Sequence, residues 1–518
     1  MNTETARTLV RARAVVNHHG ILGDTLVMER GVVTAIGAYA DLAVAGLAEH
    51  QYPEAIILPG LRDAHFHPIW YADLLTGISL KSATSIVEIQ ERLRRAADEN
   101  PDGDPIHASR LDDDHLLDRR LPTSADLDAA VADRPVIVTR YCGHVATANS
   151  AALAAAGVTS ATPDPQGGSL DRYENGEPTG VLRETAIGIV SSAVPRPRVQ
   201  DDALLHAMRM LAGLGLTSIG AMLRFGDEVD AMIAVADRLP IKVHAYVVAE
   251  TANELRGAKQ AIDAVTGHLV WQGLKRFADG SFGAHTAAMF EPFADVDTIG
   301  TMRLTDHDAA LAKESLALGG DVAFHGIGDR AVTAILDQFE DLIADGYEPT
   351  RFRIEHASVL TGDLIDRIAR TGVIASVQPA FLPSETDWLE TRVGIDRMQK
   401  TYPLRSLLDA GALLAGGSDC PVEAPNPFWG MAAAIDRAGI VPEEGLTSAE
   451  ALALFTQGSA AALKQPRPLA IGSPADFVVV DTNPLTATPD ELRNTVVLGT
   501  YVDGTPVPVD RTQPWWDV

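Results

Sequence analysis

"LPGLRDAHFHP", Leu58–Pro68, is the stretch on which the reading of the whole chain turns. An apolar run reaches Asp63 and is followed by two histidines one residue apart. Successive side chains on a strand point to opposite faces. His65 and His67 are therefore expected on one face and Phe66 on the other. Two imidazoles converging from one strand end suit a metal better than a core. The competing reading is a His-rich loop, and so short a motif does not decide between them.

The totals bound what such a site can belong to. A chain of 518 residues is too long for one small domain. Hydrophobic residues make up 46% and charged residues 22%, an ordinary globular composition that permits a large core. The formal net charge of −28 predicts repulsion from nucleic acid and from anionic membranes, and a solvated acidic surface. Cys142 and Cys420 are the two cysteines, too few for a disulfide framework or a Cys-based zinc site. "MNTETARTLV" shows no basic region leading into an apolar run, so no signal peptide is expected. The longest apolar run, Met210–Leu223, is shorter than the ~18 residues of a membrane span. These features predict a cytoplasmic protein whose partner is a small-molecule substrate, with a homodimer as the default assembly.

Both ends of the chain are β-rich. "RTLVRARAVV", "TLVMERGVVTAIG" and "AIILPG" come first, and "ADFVVVDTNPL", "NTVVLGTYVDG" and "TPVPVD" come last. They predict a small composite β-sandwich from residues 1–60 and 455–518. Between them, strand and helix patterns alternate from about residue 206. "LTSIGAM", "IKVHAYVV", "LVWQGLKRFADG", "DVAFHGIGD", "FRIEHASV", "VIASVQPAF" and "GALLAGGSDC" read as strands, and Ile57–Asp63 as the first of the series. Eight such units predict an α/β fold, a distorted TIM (β/α)8 barrel over residues 61–77 and 206–454, near the ~250 residues typical of that fold. Residues 78–205 break the rhythm and are expected to cap the barrel mouth as an insertion. They include the hairpin signal Asn175-Gly176.

Barrel enzymes place their chemistry at the C-terminal ends of the strands. Those ends carry His65 and His67 on strand one, Lys275 on four, His325 on five, His356 on six and Asp419 on eight. Each alone has a plain structural reading: a satisfied core histidine, a snorkelling lysine, a turn aspartate. Together, in this order, they predict a metal site. Glu355 is expected to face away from His356 on the same strand, which excludes it as a ligand. Asp329 is expected to be structural, and so is Asp279.

With those positions the sequence resembles the amidohydrolase superfamily. The closer similarity is to the branch that includes N-substituted formamide deformylases, on "LKRFADGSFGAHTA", "HGIGDRA", "RIEHASV", "SVQPAF" and "GSDCPV", and on "HVATANSAAL" and "GEPTGVLRE" in the insertion. His285-Thr286 stands where Ser-Arg is expected, and Arg276 where an apolar residue is usual. The resemblance implies a hydrolase of a non-peptide C–N bond in an amide, formamide, carbamate or cyclic amide. The alternatives are a heterocycle deaminase, an esterase or lactonase on the same barrel, and a scaffold that has lost its chemistry. The ligand set suits a divalent ion, zinc foremost, which lowers the pKa of a bound water to around 7. Asp419 is expected to act as general base and then acid. Lys275, its pKa depressed by burial, is expected to react with carbon dioxide and bridge two ions; unmodified, it leaves a single-ion site. His285 is assigned to catalysis beside Asp419. His144, Trp70 and Gln378 are assigned to the substrate, and Tyr71 to the pocket wall.

Overall fold

The computed structural model describes residues 7–43, 47–99, 103–165, 167–194 and 199–508. Residues 1–6 and 509–518 of the predicted end domain lie outside these, including the last two residues of "TPVPVD".

Eight parallel strands form the barrel: Leu61–Phe66, Leu216–Arg224, Lys242–Val248, Leu269–Phe277, Asp321–Gly326, Phe352–His356, Ile374–Val377 and Leu413–Gly416. Each pairs with the next in that order. The first and fifth are buried along their whole length, as expected of parallel strands covered on both faces. Strand eight does not share a ladder with strand one. The two meet beyond its end, where Phe66 pairs in parallel with Cys420 and the Asp419 amide donates to the His65 carbonyl at 2.9 Å. The ring is thus closed by the segment that carries the site.

The first strand differs from the sequence expectation. Ile56–Leu58 pair with Val478–Val480 in the end domain, so the barrel begins after the break at Gly60. A Cβ at Gly60 would sit 2.4 Å from the Thr217 hydroxyl. Only glycine lets the chain pass from one sheet to the other there.

The ends do meet, and their strands form one connected seven-stranded sheet. Alternation along Ala48–Pro59 and Phe477–Val480 gives that sheet two apolar faces. Ile56, Leu58, Val478 and Val480 join the barrel core. Ile57, Phe477 and Val479 pack with Val10, Val15 and Leu26 in a separate core. Residues 78–184 supply a six-stranded sheet that carries its own apolar clusters.

The barrel interior is polar where the site needs it. Arg353 is fully buried and donates to Glu355, to Ala64 O at 2.8 Å and to the Ser376 hydroxyl at 3.0 Å. Side chains of strand six can reach strands one and seven together only across the lumen, so Arg353 and Glu355 point inward. Strands four and five approach closely. Gly273 pairs with Asp321, and a Cβ there would lie 2.1 Å from the Asp321 carbonyl oxygen. Gly273→Ala is expected to destabilise the protein by about 1–3 kcal/mol. Gly362→Ala, in open space at an exposed helix start, is expected to change it by no more than about 0.5 kcal/mol. Thermal unfolding midpoints check this, and equal midpoints would contradict the close approach.

Candidate metal centre and cavity

His65 ends strand one, and His67 caps the helix Pro68–Thr76 that follows. Their Nε2 atoms lie 3.2 Å and 3.0 Å from the same oxygen, Oδ1 of Asp419. The three side chains offer ligand atoms all within 4.8 Å of one another. Phe66 points into the barrel core against Tyr71, as alternation requires.

The protonation pattern around His65 is informative. Its Nδ1 faces the Glu355 carboxylate at 2.5 Å, and Glu355 is itself held by Arg353. Burial pushes the His65 pKa down to about 4, so the ring is neutral at pH 7. Its one proton is then on Nδ1, toward Glu355. Nε2 therefore presents a lone pair to Asp419. Asp419 is ionised at pH 7, its carboxyl lying well below the usual range although burial opposes the charge. Lone pair faces lone pair at 3.2 Å, an arrangement that a cation satisfies.

Lys275 is fully buried, and its Nζ stands 3.4 Å from His65 Nε2. Burial lowers its pKa to about 8. His356 and His325 complete the ring of imidazoles. The His356 ring lies 5.0 Å from that of His65 and 4.4 Å from that of His325. His356 Nδ1 meets Gln378 Oε1 at 2.8 Å, which leaves Nε2 free. His325 Nε2 meets Gly280 O at 2.9 Å. Burial lowers the pKa of His356 to about 3 and that of His325 well below its ordinary value, so both rings are neutral.

Two backbone features escape strand alternation. His356 has φ of 74° and Asp419 has φ of 58°. The left-handed turn at His356 brings it to the same side as Glu355, so the expectation that these neighbours face apart is corrected. Glu355 does face the site, as the carboxylate that holds His65. Asp63 does comparable work between strands one and eight. It accepts from the Ser418 amide and hydroxyl and from the His65 amide. Gly417 permits this, since a Cβ there would meet the His65 nitrogen at 2.8 Å.

A cavity opens beside this cluster, lined by His325, His356, Asp419 and His144 among others. About 510 Å³ lies between its walls, mouth included. His144 descends from the insertion with its ring 5.7 Å from His325. Its Nδ1 meets Glu184 at 2.9 Å. Burial opposes the charge, but Glu184 outweighs it and lifts the His144 pKa to about 9. Thr286, at the position where an arginine was expected, donates its hydroxyl to Glu184, and Arg303 reaches that same carboxylate at 3.4 Å.

Four assignments need correction. His285 is not among the cavity-lining residues, because its Nε2 is held 3.0 Å from Asp295. Gln378 is turned to His356 and does not line the cavity. Trp70 packs over Gly143 and edge-on to His67, beside the centre rather than in the cavity wall. Tyr71 is fully buried in the core. Asp279 accepts three backbone amides and Asp329 two, so both are structural, as expected. Sequence reasoning missed Arg353 and Glu184. For Arg353 a signal was present: its spacing of two from Glu355 places both on one face.

Comparison with known proteins follows this geometry. The amidohydrolase family model matches residues 54–508. The protein YtcJ of Bacillus subtilis (strain 168) is 30% identical, over 93% of this chain and 95% of its own. The N-substituted formamide deformylase of Arthrobacter pascens is 27% identical, over 86% and 87%. A metal-dependent hydrolase of Pyrococcus furiosus superposes with a TM-score of 0.74 at 29% identity, over 93% of this chain and 100% of its own. Among the described residues no helix is long and apolar enough to cross a membrane. The chain belongs to the amidohydrolase family and is a metal-dependent hydrolase.

Proposed function

We propose that this enzyme hydrolyses a non-peptide C–N bond of a small molecule, an amide, formamide, carbamate or cyclic amide, with Asp419 as general base and then acid. The observation that carries the reading is the pair of acceptors, His65 Nε2 and Asp419 Oδ1, aimed at each other at 3.2 Å. Neutral imidazoles and one ionised carboxylate are a donor set that fits zinc. His65, His67, His325, His356 and Asp419 would hold it, and Lys275 would join them as a carbamate. When bound, the ion supplies a Lewis acid and a water whose pKa falls to around 7.

The chain's own groups then divide the work. Asp419 accepts a proton as the water oxygen bonds to the carbonyl carbon. The C–N bond breaks and Asp419 returns that proton to the leaving nitrogen. His144, held as a cation by Glu184, faces the cavity and can donate to the substrate carbonyl oxygen. Lys275 is buried beside His65 with a pKa of about 8, which leaves a neutral fraction able to add carbon dioxide with loss of a proton. The heterocycle-deaminase alternative needs a free carboxylate just past strand five to shuttle protons. Asp329 occupies that place, but its carboxylate accepts the amides of Phe290 and Arg330.

Zinc-reconstituted enzyme is expected to release amine from a panel of N-alkylformamides, carbamates and cyclic amides. Turnover of matched esters with no C–N substrate accepted would contradict the reading. Asp419→Asn is expected to lower kcat per bound metal by roughly 10²–10⁴, and activity within tenfold of the parent would remove Asp419 from proton transfer. Gln378→Leu releases the His356 ring and is expected to weaken metal affinity by about 10–100-fold. Dialysis against a graded chelator measures it, and unchanged affinity would separate His356 from the metal.

A further inference from the structure

The mechanism leaves part of the cavity wall unused. The helix Phe381–Glu385 runs along it, and both of its end residues line the cavity. They are one helical turn apart and share a face. The Phe381 ring stacks on His356 at 6.0 Å, so the helix starts at the metal centre and Glu385 lies about 6 Å further along it. On the facing loop, Glu423 follows Asp419 by four residues and also lines the cavity. Two carboxylates thus share the cavity wall with His356 and Asp419.

These carboxylates are poorly matched within the protein. Glu385 accepts the Tyr402 hydroxyl at 2.8 Å. Glu423 is near the Ser384 hydroxyl. Arg392 stands near Glu385, and Arg110 and Lys81 stand near Glu423. Burial raises Glu385 to about 8 and Glu423 to about 7, and the charge of Glu423 pushes Glu385 further up. The rest of the wall here is aromatic, with Tyr141, Trp388 and Tyr402. A cation placed between the two carboxyl groups favours the ionised form of both, which then accepts hydrogen bonds, and aromatic faces attract cations. An acidic chain also gathers cations at its surface.

On the reading that the enzyme cleaves a C–N bond at the His/Asp centre, we propose that its substrate carries a basic nitrogen at the opposite end, received as a cation by Glu385 and Glu423 between aromatic walls. The natural substrate class is then an amide derived from a diamine or a similar dibasic compound. An acyl chain ending in a carboxylate is excluded by the same charges.

The test separates binding from turnover. Calorimetry on the zinc-loaded full chain compares pentane-1,5-diamine with hexylamine, two amines of equal length that contain no amide. The diamine is expected to bind at least about tenfold tighter. That ratio is expected to fall to near one in the double variant Glu385→Gln/Glu423→Gln, and to fall part of the way in each single variant if the double variant does not fold. Hydrolysis is followed with N-(5-aminopentyl)formamide, N-hexylformamide and 6-formamidohexanoate, with kcat/KM expected to decrease in that order. Equal binding of the two amines, or a preference retained in the variants, overturns the assignment. Turnover of N-hexylformamide without any preference for the diamine overturns the assignment and leaves the hydrolase reading standing. Preference for the diamine without turnover supports the assignment and removes formamides from the substrate class.

Discussion

Two atoms that repel each other face across 3.2 Å at the barrel mouth: the lone pair of His65 Nε2 and the ionised Asp419 oxygen. A folded chain holds such a pair together only if something else supplies the positive charge or if the surrounding structure leaves no alternative. Here both conditions apply. His67 Nε2 converges on the same oxygen at 3.0 Å, and Lys275 Nζ stands 3.4 Å from His65 Nε2 itself. The buried imidazoles stay neutral because desolvation penalises their charge, so they remain ligands rather than counter-ions.

The supporting structure explains why the pair cannot relax. Arg353 fixes Glu355, and Glu355 fixes the ring of His65 through Nδ1. Asp63 ties the His65 amide to Ser418, and Asp419 in turn donates its amide to the His65 carbonyl. Strands one and eight are thereby joined through the site itself, which stands in for the missing ladder between them. Breaking the buried Arg353–Glu355 pair by removing one partner costs roughly 3–5 kcal/mol. The positioning of the centre and the closure of the barrel are therefore one property.

Much of this was legible in the sequence. Alternating strands and helices gave the barrel, and six polar residues at strand ends gave the cluster. What escaped was whatever depends on backbone conformation or on contact across the lumen. Strand alternation placed His65 and Phe66 correctly because both lie within a regular strand. It failed at Glu355 and His356 because φ turns positive there, which no residue type at that position announces. His285 looked available from its Gly-rich loop, but its partner Asp295 is set by the path of that loop. Gln378 and Trp70 sat near enough in sequence to suggest a pocket, yet each is turned to a histidine of the centre instead. Glu385 and Glu423 lie in segments of unremarkable pattern, and only the cavity brings them into one wall.

The most direct test of the account is anomalous diffraction at the zinc edge from crystals of the zinc-loaded protein. The account predicts a peak within ~2.0–2.2 Å of His65 Nε2, His67 Nε2 and an Asp419 oxygen. Fully loaded protein whose peak lies elsewhere, with these three side chains still drawn together, would contradict it.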